Sequence, residues 1–294
     1  MKKLFICFVC MMCFSLNLFA QNVTFKMVKI PNANFEMLEH EVTLSMYEQV
    51  MGERPVLTER TVYTNENGEK EETVKKEYVQ DEDEFYEYPV IAVSAYDAIY
   101  FCNKLSILNG LEPVYSVNGE SDFRKWDYTP HESFGIKGSI KQDSTKNGYR
   151  LPNIEEWSYA AKGGENQMNL NSEDLCDFIW CKENSFNTHH PVGGKKANAY
   201  GLYDMFGNVE EWCFESTTLK KAAGKVAGKA ALKLLTTALG GNSVGTASEG
   251  VDIGRPMGGA YTTKLEYCNL ETKSMWNCSM QSEVIGFRFV RTIK

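Results

Sequence analysis

Residues 111–150 and 176–218 are rich in turn-forming residues and in aromatics at the same time, and this pairing is what most constrains the fold. Glycine, asparagine, aspartate and proline interrupt regular elements, while large aromatic side chains gain most from burial. A chain with both needs few long elements and many ordered loops packed over a common core. The aromatics are spread through the whole chain after residue 20, so one domain over 21–294 is expected.

Where periodicity exists, it is local and well punctuated. VTFKMVKIPNANFEM alternates apolar and polar residues as a half-buried strand would. In EVTLSMYEQVMGERP, Thr43 is placed to cap a helix whose Met46, Tyr47, Val50 and Met51 share a face, with Gly52 and Pro55 to end it. VSAYDAIYFCNKLSILNG predicts a second helix, capped by Ser94 and ended by Gly110, with Cys102 in the core. NIEEWSYAAKGG predicts a third: Asn153 caps it, Glu155 and Glu156 suit the positive end, and Gly163 and Gly164 stop it. Between the first two lies TERTVYTNENGEKEETVKKEYV, with Asn67-Gly68 between two β-rich arms, the strongest short-range hairpin signal. Its charge makes it a protruding hairpin insertion near 56–85.

The first twenty residues, MKKLFICFVCMMCFSLNLFA, have the three parts of a secretory signal: two lysines, an apolar run, and Leu18-Phe19-Ala20 as a cleavage site. Export to a periplasm or the outside is therefore expected, with Gln21 as the new first residue. Without Lys2 and Lys3 the chain has 29 basic against 39 acidic side chains. That balance disfavours nucleic acid as a partner. Six cysteines remain outside the signal, Cys102, Cys176, Cys181, Cys213, Cys268 and Cys278, an even number that would allow three disulfides after export.

One segment breaks the acidic pattern. Leu219 to Gly241 is rich in lysine and alanine and has no acid, and Lys221, Lys225, Lys229 and Lys233 recur every four residues. In a helix they draw a cationic stripe. Three readings stand: a surface helix packed on its own domain, a contact for an anionic partner or membrane surface, or a disordered segment, since Gly224 and Gly228 weaken an isolated helix.

Four segments occur in order: EVTLSMYEQVMGERP, GYRLPNIEEWSYAAKGG, NAYGLYDMFGNVEEWCFE, and GGAY with GFRFVR near the end. Together they resemble the formylglycine-generating enzyme family, the sulfatase-modifying-factor domain, across nearly the whole chain after the signal. The resemblance implies a compact α+β domain of the C-type-lectin-like superfold with little regular secondary structure. It also implies a range of activities, since the family includes copper-dependent oxidases that convert a sulfatase cysteine to formylglycine, iron-dependent sulfoxide synthases, and exported proteins without known chemistry. Fold alone does not choose among them.

Asp204, Gly207, Val209 and Glu211 match the family's calcium ligands, two carboxylates and two backbone carbonyls. That donor set suits calcium, which takes six to eight hard oxygens. A second calcium site seen in some members has no counterpart here, because ENSFNTHHPVG looks shortened.

The thiol pattern departs from the oxidases. Their copper(I) is held by two cysteines four residues apart after the glycine pair. Here the second position is Cys268 and the first is Thr263, whose neutral hard hydroxyl cannot replace a thiolate for copper(I). Ala260 stands where the oxidases have serine, and Glu210 where they have tryptophan. Cys278 or Cys213 could approach Cys268 as a disulfide or metal partner. The four histidines form no metal-binding spacing. The expectation is an exported, calcium-stabilised binding or structural member of the family, with residues 262–283 as the recognition segment. Tyr261, Tyr267 and Trp276 would contact a peptide, protein or glycan. The alternative is a copper-dependent oxidase acting through Cys268.

Overall fold

The computed structural model describes residues 23–164, 173–214, 254–272, 274 and 276–293. The signal segment and the lysine stripe of 219–241 lie outside the described residues. The described elements are short. In chain order they are β1 (Met27–Lys29), β2 (Phe35–Leu38), α1 (Leu44–Met51), β3 (Val56–Thr64), β4 (Lys70–Tyr78), α2 (Ala95–Leu108), β5 (Tyr115–Val117), β6 (Ile140–Gln142), β7 (Tyr149–Arg150), α3 (Ile154–Lys162), β8 (Glu210–Cys213), β9 (Arg255–Met257), β10 (Ile285–Gly286) and β11 (Val290–Thr292).

The helix boundaries follow from local chemistry. Thr43 accepts the Met46 N–H at the start of α1, and Gly52 ends the helix in the left-handed region. Ser94 and Asp97 cap α2 reciprocally, as do Asn153 and Glu156 for α3, so each pair satisfies two backbone donors that a helix start leaves open. The expected single strand after residue 23 is instead a hairpin, β1 against β2, with Val28 opposite Met37. Pro31 follows Ile30 and Asn32 adopts φ 58°. The ring has no N–H to extend a ladder and the left-handed residue reverses the chain.

Strands from opposite ends of the chain meet in a four-stranded sheet of order β1-β2-β11-β7, where Val290 pairs with Met37 on one side and Arg150 on the other. A smaller sheet of order β10-β8-β9 places β8 parallel to β10 and antiparallel to β9. The final run, Ile285 to Val290, thus belongs to both sheets. Its Phe287 and Phe289 are fully buried beside Phe101 of α2.

Two groups of buried side chains result. One surrounds α1, α2 and the closing phenylalanines; the other collects α3, Met205, Phe206, Cys213, Met257 and Cys268. The β3–β4 hairpin runs in register from Val56 opposite Tyr78 to Thr64 opposite Lys70, with Gly68 at φ 79° in its turn. It protrudes, as its exposed Val62, Tyr63 and Val74 show. Its base is fixed by Thr58, which donates to the His131 carbonyl and whose N–H meets the Gln281 side chain. Among the described residues no helix is long and apolar enough to cross a membrane.

Candidate functional site

Two neighbouring centres sit where β8 meets the closing run. The first is ionic. Glu211 on β8 and Arg288 are both fully buried, and Arg288 donates from Nη2 to Oε1 at 2.6 Å and from Nε to Oε2 at 2.7 Å. Its other N–H groups reach the carbonyls of Leu38, Glu39 and Tyr203. The Trp157 indole N–H of α3 adds a bond to Glu211 Oε2 at 2.8 Å. A buried ion pair holds only when its remaining donors and acceptors are satisfied, and here they are.

Asp204 lies in the turn before β8 at φ 53°, and its Oδ2 accepts the Gly193 N–H at 2.6 Å. Gly207 is obligatory: a Cβ there would stand 2.1 Å from the Trp180 carbonyl oxygen, and φ is 78°. Asn208 then clamps the turn, exchanging bonds with the His190 backbone through its side chain and accepting the Tyr261 N–H on its carbonyl. Burial pushes the Asp204 carboxyl above its ordinary range and that of its neighbour Glu41 further still.

For calcium, the four matched residues divide. Asp204 has no basic partner of its own, whereas Glu211 is already neutralised by Arg288. Among the described residues no three acidic, histidine or cysteine side chains converge as a ready-made metal cage. Beside Asp204 lies Glu41, fully buried, with its carboxyl within hydrogen-bonding reach of the Asp204 side chain.

The second centre is the thiol turn. Gly258 and Gly259 adopt φ 97° and 77°, and a Cβ on Gly259 would lie 3.1 Å from Cys268 Sγ and 3.4 Å from Thr263 Cβ. Thr263 and Cys268 therefore flank one point. The Thr263 hydroxyl accepts the Ala260 N–H at 3.0 Å, and its carbonyl takes both the Lys182 N–H and the Cys268 thiol. Burial, reinforced by the charges of Cys181, Glu183 and Glu210, pushes the Cys268 thiol up to about 12. A thiol in that state is a poor nucleophile and a poor ligand.

The partners considered from sequence are elsewhere. Cys278 packs in the other core group, where its sulfur accepts the Gly254 N–H at 2.8 Å. Cys213 is buried within β8. The thiol that shares the buried group of Cys268 and adds to its electrostatic surroundings is Cys181, whose segment is joined to the turn by the Lys182–Thr263 bond and by Glu183, which accepts the Leu265 N–H. None of these six cysteines is joined in a disulfide, so the disulfides expected of an exported chain are not formed in this structure.

The surface beside the thiol turn is held by Glu210. Its carboxylate accepts the Ser274 hydroxyl at 2.6 Å and the Trp276 indole N–H at 2.9 Å, pinning the segment after Cys268 to β8. Of the three expected contact residues, Tyr267 is exposed, Trp276 is half-buried, and Tyr261 is buried near His189. Sequence reasoning missed Glu41, Cys181 and the Arg288 pairing. An arginine inside the otherwise apolar IGFRFV run was the one available signal for a buried ion pair.

These features define a loop-rich α+β domain whose closing run is locked to β8 by a buried guanidinium–carboxylate pair. Over residues 17–293 the chain matches the family described as the sulfatase-modifying factor enzyme 1-like domain, and it belongs to that family. It is similar to Chaperone protein LppX of Paenibacillus barcinonensis, 33% identical over 203 residues, 62% of each chain. The formylglycine-generating enzyme of Thermomonospora curvata is 34% identical over 82 residues, 22% of this chain and 27% of that one. The inactive C-alpha-formylglycine-generating enzyme 2 of Mus musculus is 38% identical over 78 residues, 22% and 25% of the two chains. The matches thus span from about a quarter to less than two thirds of these relatives. Among solved structures, Treponema denticola variable protein 1 superposes with a TM-score of 0.59 at 25% identity, covering 92% of both chains. The structure of CarF gives 0.58 at 21% identity over 92% of this chain and 95% of that one, a likeness of fold alone.

Proposed function

We propose that this chain is an exported, calcium-stabilised binding member of the family, holding a polypeptide partner over Tyr267 and Trp276 and lacking a copper bis-cysteine centre. The observation that carries the reading is the donor set at the thiol turn. Thr263 commits its hydroxyl to a backbone N–H, and Cys268 is a buried thiol held in its neutral form. Copper(I) needs two thiolates, and this turn offers one reluctant thiol. Glu210, where the oxidases carry tryptophan, serves to anchor the recognition segment instead.

The relatives' names support the same direction. One is called a chaperone protein, one an inactive enzyme, and the structural neighbour at 25% identity a variable protein. A polypeptide suits the exposed aromatic ring of Tyr267, since aromatic anchors dominate binding at such surfaces. Calcium would be held at the Asp204 turn, with the carbonyls of Gly207 and Val209 as further oxygens, and would supply a structural bridge. Export rests on the first twenty residues.

The test is binding of a fluorescent peptide array to the full chain and to Tyr267→Ser. Loss of about tenfold in affinity is expected for the best peptides. Equal binding by the variant, or no peptide binding by the wild type, would overturn the polypeptide reading. The oxidase alternative is tested by incubating the copper-loaded protein and oxygen with a peptide carrying Cys-x-Pro-x-Arg. An aldehyde captured by a hydrazide reagent would establish that alternative in place of this one.

A further inference from the structure

The base of the β3–β4 hairpin and the segment before β10 meet at one buried imidazole. His131 lies in the loop between β5 and β6 at φ 60°, with its side chain 4% exposed. Its Nε2 is 2.8 Å from the Tyr47 hydroxyl of α1, and its backbone N–H donates to Asp97 Oδ1 of α2 at 3.0 Å. Its carbonyl accepts the Thr58 hydroxyl of β3 at 2.8 Å. The Gln281 side chain closes the circuit: Oε1 accepts the Thr58 N–H at 3.0 Å, and Nε2 stands 3.4 Å from His131 Nδ1.

These contacts fix where the imidazole carries its hydrogen. The Thr58 N–H can only donate, so the Gln281 oxygen faces it and the Gln281 NH2 is left to face His131. That NH2 also can only donate, so Nδ1 accepts, and the single hydrogen of the neutral ring sits on Nε2, donated to Tyr47. A proton added at Nδ1 would set two donors against each other. Turning the amide over gives no relief, because its NH2 would then oppose the Thr58 N–H. Asp97 offers the other partner. Its Oδ2 lies 3.7 Å from Nδ1, and its four bonds, from the Ser94 N–H and hydroxyl, the Tyr128 hydroxyl and the His131 N–H, all come from donors, which is the pattern of a carboxylate. The further titratable groups at this place are Tyr47 and Tyr128, whose hydroxyls burial holds protonated. The hairpin adds Lys76, paired with Glu132 at 2.6 Å, and the segment before β10 adds the neutral Gln281.

We infer that Gln281 reads the protonation of His131, and that this makes the β3–β4 hairpin an acid-sensitive arm. With Nδ1 bare, the amide ties the hairpin base to the segment before β10. A proton taken from water at Nδ1 moves that nitrogen's partner from Gln281 to Asp97 and releases the tie. The Thr58 hydroxyl keeps its bond to the His131 carbonyl in both states, so the arm loosens without detaching. The inference needs neither the calcium nor the partner reading.

The experiment is solution NMR of the full nitrogen-15-labelled chain, taken from about pH 8 to about pH 5. At the upper end the His131 ring should carry hydrogen on Nε2 alone. On acidification Nδ1 should gain a proton, and the Thr58 amide and Gln281 NH2 signals should shift with the same midpoint. The heteronuclear NOE of the β3–β4 amides should fall over that same step, as the arm becomes more mobile. Gln281→Ala trims a half-buried side chain. In it the Thr58 amide should no longer follow the imidazole, and the hairpin amides should be mobile at both ends of the range. A hydrogen on Nδ1 at the upper end would overturn the inference, as would a Thr58 amide that stays still while the ring titrates. So would a ring that takes no second proton while the chain stays folded, or hairpin amides in Gln281→Ala as rigid as those of the wild type at the upper end.

Discussion

The Arg288 guanidinium and the Glu211 carboxylate meet at two points, 2.6 and 2.7 Å, with both side chains fully buried. The pair joins β8 to the closing run, and through Arg288 it also reaches the carbonyls beside β2. Arg288→Met should therefore cost about 3–5 kcal/mol, because Glu211 is left charged and buried. Arg288→Lys should also be strongly destabilising, since a point charge cannot make the two-point contact or serve three carbonyls. Urea unfolding monitored by far-ultraviolet circular dichroism measures both. A loss below about 1 kcal/mol for Arg288→Met would show that the pair does not hold the fold together.

Cys268 and Cys181 should resist alkylation in the native protein. Burial pushes their thiols up to about 12 and about 11, so at pH 8 only about one Cys268 side chain in ten thousand is a thiolate. Cys176, which is only half-buried, should be modified first by iodoacetamide, and the five buried cysteines only after unfolding. Peptide mapping by mass spectrometry gives the order. Early labelling of Cys268 would mean that its thiol is more open and more acidic than its surroundings imply, and would restore the case for chemistry there.

Glu210 should act on the recognition segment from below. In Glu210→Ala the Ser274 hydroxyl and the Trp276 indole N–H lose their acceptor, at a cost of about 1–3 kcal/mol. The freed segment should shift Trp276 emission to the red, measured against Trp276→Phe as background. Peptide affinity should fall with it while the β8 core stays folded. An unchanged emission spectrum would show that the segment is held by other contacts.

What was legible in the sequence was local. Thr43, Ser94 and Asn153 announced three helix starts because a cap and its backbone partner lie within three residues. Asn67-Gly68 announced the hairpin for the same reason. The strand reading of residues 23–37 failed because alternation survives a tight reversal, and only Pro31 and Asn32 betray it. The ionic centre was half legible. Asp204 and Glu211 share one loop and one motif, but Glu41 and Arg288 are brought to them only by the sheets that join the two ends of the chain. Cys181 was hidden likewise, since its segment is joined to the thiol turn by the Lys182–Thr263 and Leu265–Glu183 bonds, across a gap that no spacing encodes.

His189 makes the protein's stability depend on acid in a defined direction. Its ring is buried among Phe85, Tyr88 and Tyr261, with Gln80 as its polar neighbour. Burial, helped by the charge of His190, pulls its pKa down from 6.5 to about 4. The folded protein therefore resists a proton that the unfolded chain accepts, and unfolding takes up protons between those two values. The contribution is complete above pH 6.5, declines as pH falls toward 4, and levels off below it. Its full size is about 3 kcal/mol, at 1.36 kcal/mol per unit. Carboxylates also titrate in this range, so the difference between wild type and His189→Gln isolates the histidine. Urea midpoints measured from pH 7.5 to 4 should converge as pH falls, because glutamine has no proton to gain. Parallel curves over that range would show that the imidazole is not held neutral by its burial.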